Sequence, residues 1–391
     1  MADEGEVKRR VVAAVDDLAA DLIALSRRLH ANPEVAFQER QAAAWLTEML
    51  ERHGFTVERG VAGLPTAFIA RYGRDRPAVA VLSEYDALPE VGHACGHNLI
   101  GPSAVAAGIA LRAAADALGG TVMVYGTPAE ELGGGKPVMV DQGLFKDVDA
   151  AMMFHPYPGE EKQAGCGGGS LALRAFDFTY RGKPAHSGFA PWEGRNALDA
   201  VILLFNAVNA MRQHVKPDVR IHGIITNGGQ VFNIVPEEAA CRLALRSFDT
   251  AYLLEVTERV EEAARGAALA TGTELETRLF MKYDAIKPNP TLVRLISDNL
   301  RAMGFTVRDP RPTSASSDYG NVSQVLPSAG FSMATHPPGI NFHTPEFAEG
   351  AATERALGGM LEAAKVMAAV GADLLADPGL VARAREEFAV S

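Results

Sequence analysis

The stretch HACGHNLIG, residues 93–101, sets two histidines and a cysteine within five positions. A redox pair or half of a zinc finger needs a second cysteine at short spacing. None stands near Cys95, since Cys166 and Cys241 lie far along the chain. A thiolate and an imidazole two residues apart suit a catalytic metal site, which draws its other ligands from distant segments and keeps a position for water. Candidates for those ligands are Glu130 and Glu131 in PAEELGGG, His155 in FHPYP and His343 in NFHTPEF. Adjacent glutamates point in different directions, so one can bind metal while the other faces the open site. A free carboxylate there is the general base that activates water and then protonates a leaving amine. The alternative for the pair is an acid-rich helix start. His93 reads as a neighbour and not a ligand. His53, His214, His222 and His336 read as packed or solvated residues. GGGK, after the glutamates, lacks the spacing of a phosphate loop.

These residues need elements to carry them. AVAVLS reads as a strand ending before Glu84 and Asp86, TVMVYGT as a strand ending before the two glutamates, and DAAMMF as a strand ending at His155. Helical spacing runs through VVAAVDDLAADLIALSRRLHA, QAAAWLTEMLERHGF and SAVAAGIALRAAADAL, with HACGHN in the loop before the last. Strands alternating with helices predict a mostly parallel sheet with helices on both faces, whose strand ends gather ligands. Near residue 173 the order becomes strand–helix–strand–strand–helix–strand, which predicts a smaller α+β domain. The expected division is 1–173 with 288–391 for the α/β domain and 174–287 for the insert. His343 is expected to precede the last long helix.

The chain has 391 residues, 48% hydrophobic and 22% charged, as an ordinary globular protein does. A net charge of −11 and the lack of a basic cluster argue against a nucleic-acid surface. No run of apolar residues reaches membrane-spanning length, and the N-terminus does not read as a signal peptide. Three scattered cysteines suit a reducing compartment, so a cytoplasmic location is expected.

Several stretches, in order along nearly the whole chain, resemble the aminoacylase and carboxypeptidase family of metallopeptidases: RRLHANPEVAFQE, EYDALPEVGHACGHNLIG, GTPAEELGGGK, FHPYP, GKPAHSGFAPWEGRNALDA, NIVPEEAACRLALRSFD and HTPEF. The look is that of the branch holding hippurate hydrolase, p-aminobenzoyl-glutamate hydrolase and dipeptidase-like members. The resemblance implies Cys95, His97, Glu131, His155 and His343 as ligands of two divalent metal ions, zinc or manganese. It implies Glu130 as the base, with Asp86 supporting the ligands. It makes the insert a lid that forms a homodimer, with His186 steadying the oxyanion in the partner's site and Asn233 and Arg246 gripping a substrate carboxylate. Without the resemblance, Arg246 reads as a strand residue in a surface ion pair and His186 as a loop histidine. Other branches of the family carry a metal-binding histidine where Glu84 stands, and hippurate hydrolase-like members carry aspartate where Asn98 stands. The resemblance lets Asp318 and Asn321 touch substrate, although residues of those types also suit an ordinary helix cap.

The expectation is a metal-dependent amidohydrolase for an N-acyl amino acid or small dipeptide with a free carboxylate. An aminohydrolase of an aromatic amine on the same site, or a catalytically silent dimeric scaffold, are the alternatives.

Overall fold

A computed structural model describes residues 3–390, which form two compact units. The first takes everything up to Gly169, Ile286–Pro312, and everything from Asn321 onward; the second takes Ser170–Ala285 and Thr313–Gly320. The expected insert of 174–287 misses that last segment. Ser170 pairs with Thr313, and the Leu171 N–H donates to the Ala315 carbonyl. Main-chain bonds of this kind leave no mark on composition.

Numbered in chain order, the strands are β1 (Thr56–Arg59), β2 (Phe68–Gly73), β3 (Ala78–Ser83), β4 (Thr121–Gly126), β5 (Ala150–Pro158), β6 (Gln163–Cys166), β7 (Ala172–Arg181), β8 (Arg220–Asn227), β9 (Glu238–Ser247), β10 (Glu274–Tyr283), β11 (Thr306–Arg308) and β12 (Ser328–His336). The first unit holds a sheet in the order β1-β2-β4-β3-β5-β12-β6-β11. Its central strands β4, β3, β5 and β12 run parallel. Every residue of β3 and β4 is buried, as unbroken apolar runs require when a sheet is covered on both faces.

The helices His97–Leu118 and Glu354–Ala376 pack on each other and on the central strands. His97–Leu118 is long and apolar enough by composition to cross a membrane, but most of it is buried inside the first unit, which accounts for its apolar circumference.

Several elements differ from the sequence reading. The N-terminal helix is two, Glu4–Asp17 and Ala19–Ala31. The helix after HACGHN begins at His97 despite Pro102. β5 continues through His155 to Pro158, because pairing with β12 extends past the apolar run. A short helix, Pro345–Gly350, separates His343 from Glu354–Ala376.

The second unit is an antiparallel sheet, β10-β7-β9-β8, with the helices Ala197–Met211 and Thr250–Thr271 packed on it. Phe176, Phe178, Tyr180, Val201, Leu204 and Val260 form its core.

The start of β3, and so the approach to Glu84 and Asp86, is tied by one buried carboxylate. Asp149 Oδ2 accepts the Ala78 N–H at 2.7 Å, while Oδ1 takes Arg76 at 2.6 Å and also Arg385 from the C-terminal helix Pro378–Val390. Asp149→Ala leaves a buried N–H without an acceptor. It is expected to cost about 1–3 kcal/mol, read as a lower urea midpoint at unchanged slope.

Candidate active site

The polar side chains of the first unit meet where the parallel strands end. Glu84 and Asp86 follow β3, Glu130 and Glu131 follow β4, and His155 sits within β5. Cys95 and His97 flank Gly96, whose φ is +78°. A Cβ on Gly96 would lie 2.7 Å from Pro156 Cγ, so the turn admits only glycine without rearrangement. His343, at φ +63°, is held by its N–H donating to the Ala94 carbonyl at 2.9 Å.

Asp86 is fully buried and braces two other residues. Its Oδ1 lies 3.0 Å from His97 Nδ1, and its Oδ2 accepts the Glu131 N–H at 3.0 Å. The His97 ring is therefore oriented with Nε2 toward the cluster. His155 Nδ1 is 2.7 Å from the Pro156 carbonyl, which turns its Nε2 to within 3.5 Å of Cys95 Sγ. His343 Nε2 stands 3.4 Å from Glu131 Oε1. Donor atoms of Cys95, His97 and His155 lie within 4.8 Å of one another; so do those of Cys95, Glu131 and His343, and those of His97, Glu130 and Glu131.

Whether these residues suit a metal is decided by what they leave unsatisfied. Among the described residues, His97 Nε2 and Glu84 Oε2 are buried without a hydrogen-bond partner, and Glu131 Oε1 meets only His343 Nε2, at a long 3.4 Å. His97 Nε2 is 4.0 Å from Glu131 Oε1 and 3.7 Å from Glu84 Oε2. Unpaired buried polar atoms are costly, and carboxylates that converge repel. A divalent cation among them relieves both penalties, so the residues fit one.

The proton equilibria agree. Burial and Glu131 push the Cys95 thiol well above its usual range, so its thiolate forms only against positive charge. Burial opposes charge on His97, but Asp86 outweighs it and draws a proton to the ring, which a cation must displace. Metal binding here should release protons and weaken as pH falls.

The sequence left Glu84 unassigned, and the structure adds it to the cluster. Its Oε1 accepts from Lys136 Nζ at 2.6 Å, with both side chains fully buried. Position i, i+2 relative to Asp86 beyond a strand is the signal that places both carboxylates on one side. His93 lies outside the group: its Nε2 is 3.2 Å from the Leu29 carbonyl, and burial drops its pKa to about 3. His336 is buried in a stack with Phe347, and burial lowers it to about 4.

In the second unit, His186 and Asn233 are neighbours. His186 pairs with Ile234, and the Ser187 N–H donates to the Asn233 carbonyl at 3.0 Å. His186 is exposed, and its Nδ1 accepts the N–H groups of Gly188 and Phe189, so the ring proton sits on Nε2. Arg246, on β9, donates to Ser316 Oγ at 3.0 Å. Among the described residues it has no carboxylate at ion-pair distance, so the surface ion pair is not what occupies it. Asp318 is fully buried in the second unit and Asn321 nearly so in the first.

Asp86→Ala removes the brace behind His97 and Glu131. It is expected to weaken zinc binding by about 10- to 100-fold, measured by competition with a chromogenic chelator.

Comparison with known proteins places this geometry. The model of Peptidase family M20/M25/M40 matches residues 80–370. The chain is 37% identical to the Xaa-Arg dipeptidase of Mus musculus, covering 98% of this chain and 92% of that protein. It is 33% identical to one of the polypeptides of the p-aminobenzoyl-glutamate hydrolase of Escherichia coli (strain K12), covering 91% of this chain and 89% of that polypeptide. A Bacillus subtilis structure described as a dinuclear metal binding peptidase shares the fold at TM-score 0.69 and 22% identity, covering 92% and 99%. With the family pattern spanning most of the chain and relatives aligned along nearly all of it, the chain belongs to Peptidase family M20/M25/M40 and is a hydrolase of amide bonds.

Proposed function

We propose that this hydrolase cleaves an N-acyl amino acid or short dipeptide bearing a free carboxylate, with Glu130 as general base and two divalent metal ions. The observation that carries the reading is the pair of donor groups sharing Cys95, one with His97 and His155 and the other with Glu131 and His343. Cys95, His97, His155, Glu131 and His343 would together hold such ions. Thiolate with imidazoles favours zinc over manganese. When bound, such ions polarise the amide carbonyl and acidify the attacking water.

The chain's own residues do the rest. Glu130 takes the proton from water and returns it to the leaving amine, which lets one carboxyl serve both halves of the reaction. Asp86 keeps His97 and Glu131 aligned. In a homodimer His186 offers Nε2–H to the oxyanion developing in the partner's site, and Arg246 with Asn233 offers donors to the substrate carboxylate. Identity to a dipeptidase named for Xaa-Arg substrates makes dipeptides ending in a basic residue the first to try. The chain's −11 charge also favours a cationic partner. A cytoplasmic location is part of the proposal, since Cys95 must stay reduced to act as a ligand.

The test is hydrolysis by protein stripped of metal and reloaded with zinc or manganese. Substrates are dipeptides ending in arginine or lysine, hippurate, N-acetyl amino acids and p-aminobenzoyl-glutamate, each beside its carboxamide. Cleavage of the acids is expected only with metal. Glu130→Gln is expected to keep its metal and lose about 10²–10⁴-fold in kcat. Arg246→Ala should lower kcat/KM for the acids by about 10- to 100-fold. Equal cleavage of acids and carboxamides would remove Arg246 from its role and favour the aminohydrolase alternative.

A homodimer through the second unit completes the proposal. β8 is an edge strand whose Ile224 and Ile225 are exposed, and Ile202 and Leu203 of the helix Ala197–Met211 are exposed as well. Unpaired strand edges beside apolar side chains are surfaces that a second copy can cover. Ile224→Asp is expected to convert a dimer to a monomer by light scattering, while the circular dichroism spectrum stays the same. A monomeric wild type at micromolar concentration would refute this part.

A further inference from the structure

We propose that Glu39 is a positioning residue that clamps the turn presenting Glu130, an assignment that rests on Glu130 being the base. Glu39 precedes the helix Arg40–Arg52, and its side chain is fully buried in the first unit. Its Oε1 accepts two main-chain N–H groups, from Phe37 at 2.9 Å and from Ala129 at 2.9 Å. Its Oε2 accepts the Thr66 hydroxyl at 2.9 Å.

Both amide donors belong to residues in the left-handed region, Phe37 at φ +61° and Ala129 at φ +63°. Neither residue type prefers that conformation, so something outside each backbone must hold it there. The segments come together a second time at Gly133, where a Cβ would stand 2.5 Å from Phe37 Cε2.

The position of Ala129 gives the clamp its consequence. It immediately precedes Glu130, and the turn around it is tied at other points. The Gly134 N–H donates to the Ala129 carbonyl at 2.7 Å, and the Gly135 N–H to the Pro128 carbonyl at 3.0 Å. The Glu131 N–H is held separately by Asp86. Loss of the Glu39 acceptor therefore frees the N–H of the peptide between Pro128 and Ala129, so that Ala129 can leave the left-handed region and turn Glu130 while Glu131 stays anchored. The base should move and the metal ligand should stay.

Burial pushes the Glu39 carboxyl up to about 7, with Asp86 adding to the repulsion. An apolar residue would avoid that penalty, so packing alone does not explain a carboxyl here. The two amides share Oε1, which remains an acceptor when Oε2 carries a proton. The clamp thus needs an oxygen and not a charge.

The experiment compares Glu39→Ala, Glu39→Gln, Thr66→Val and the double variant Glu39→Ala with Ala129→Gly, each in the zinc-loaded enzyme. Kinetics are read beside metal content by atomic emission. Glu39→Ala is expected to lose about 30- to 100-fold in kcat, with KM changed less than about threefold and metal stoichiometry unchanged. Glu39→Gln and Thr66→Val should stay near wild type. Ala129→Gly should restore much of the lost kcat, because glycine holds positive φ without a clamp. A role in the fold alone would not be rescued that way.

Full kcat in Glu39→Ala, or loss of metal in step with activity, overturns the assignment. Should Glu39→Ala fail to fold, the near-isosteric Glu39→Met fills the space without an acceptor and is read by the same criteria. A wild type that cleaves nothing defeats the hydrolytic reading instead. The clamp is then judged from a crystal structure of the variant, in which Ala129 should leave the left-handed region and a retained φ near +63° would refute it.

Discussion

Buried carboxylates that face one another need positive charge, and the first unit is arranged around that need. Glu84, Asp86 and Glu131 converge beyond β3 and β4 with little access to water. Lys136 answers one oxygen of Glu84, and His97 answers Asp86. Among the described residues Glu84 Oε2 remains unanswered, and Glu131 Oε1 has only the distant His343 Nε2 at 3.4 Å. A cation site arises because the protein's own donors stop short of satisfying its acceptors.

The backbone around the site also takes left-handed turns. Ala129, His343 and Gly96 all hold positive φ, and each sits at or beside a residue of the cluster. For the two that are not glycine, such geometry costs on the order of 1–3 kcal/mol each. Fixed hydrogen bonds compensate: Glu39 for Ala129, and the Ala94 carbonyl for His343. Rigid turns on a buried parallel sheet hold side chains at a set separation, which is what aligned proton transfer requires.

The second unit follows another logic. Its antiparallel sheet buries one face under two helices and leaves Ile224 and Ile225 exposed on an edge strand. Arg246 is half-buried with no carboxylate beside it among the described residues, and burial weakens its hold on its proton. A cation kept partly desolvated and lightly committed is a surface ready for an anion. His186, with its ring proton on Nε2, is likewise arranged as a donor.

Local sequence by itself determined the strands that matter most. AVAVLS and TVMVYG are unbroken apolar runs, and such runs are buried on both faces wherever the chain folds. Cys95, His97, Glu131, His155 and His343 could be singled out by residue type and spacing, and the structure brings their donor atoms into overlapping groups. The short strands β1, β6 and β11 escaped notice because their pairing comes from neighbours and not from their own few residues. Thr313–Gly320 escaped for the same cause. Glu84, Lys136 and Glu39 could be seen as charged residues but not as buried ones. Burial of a charge depends on which distant groups meet it, and only the tertiary structure decides that.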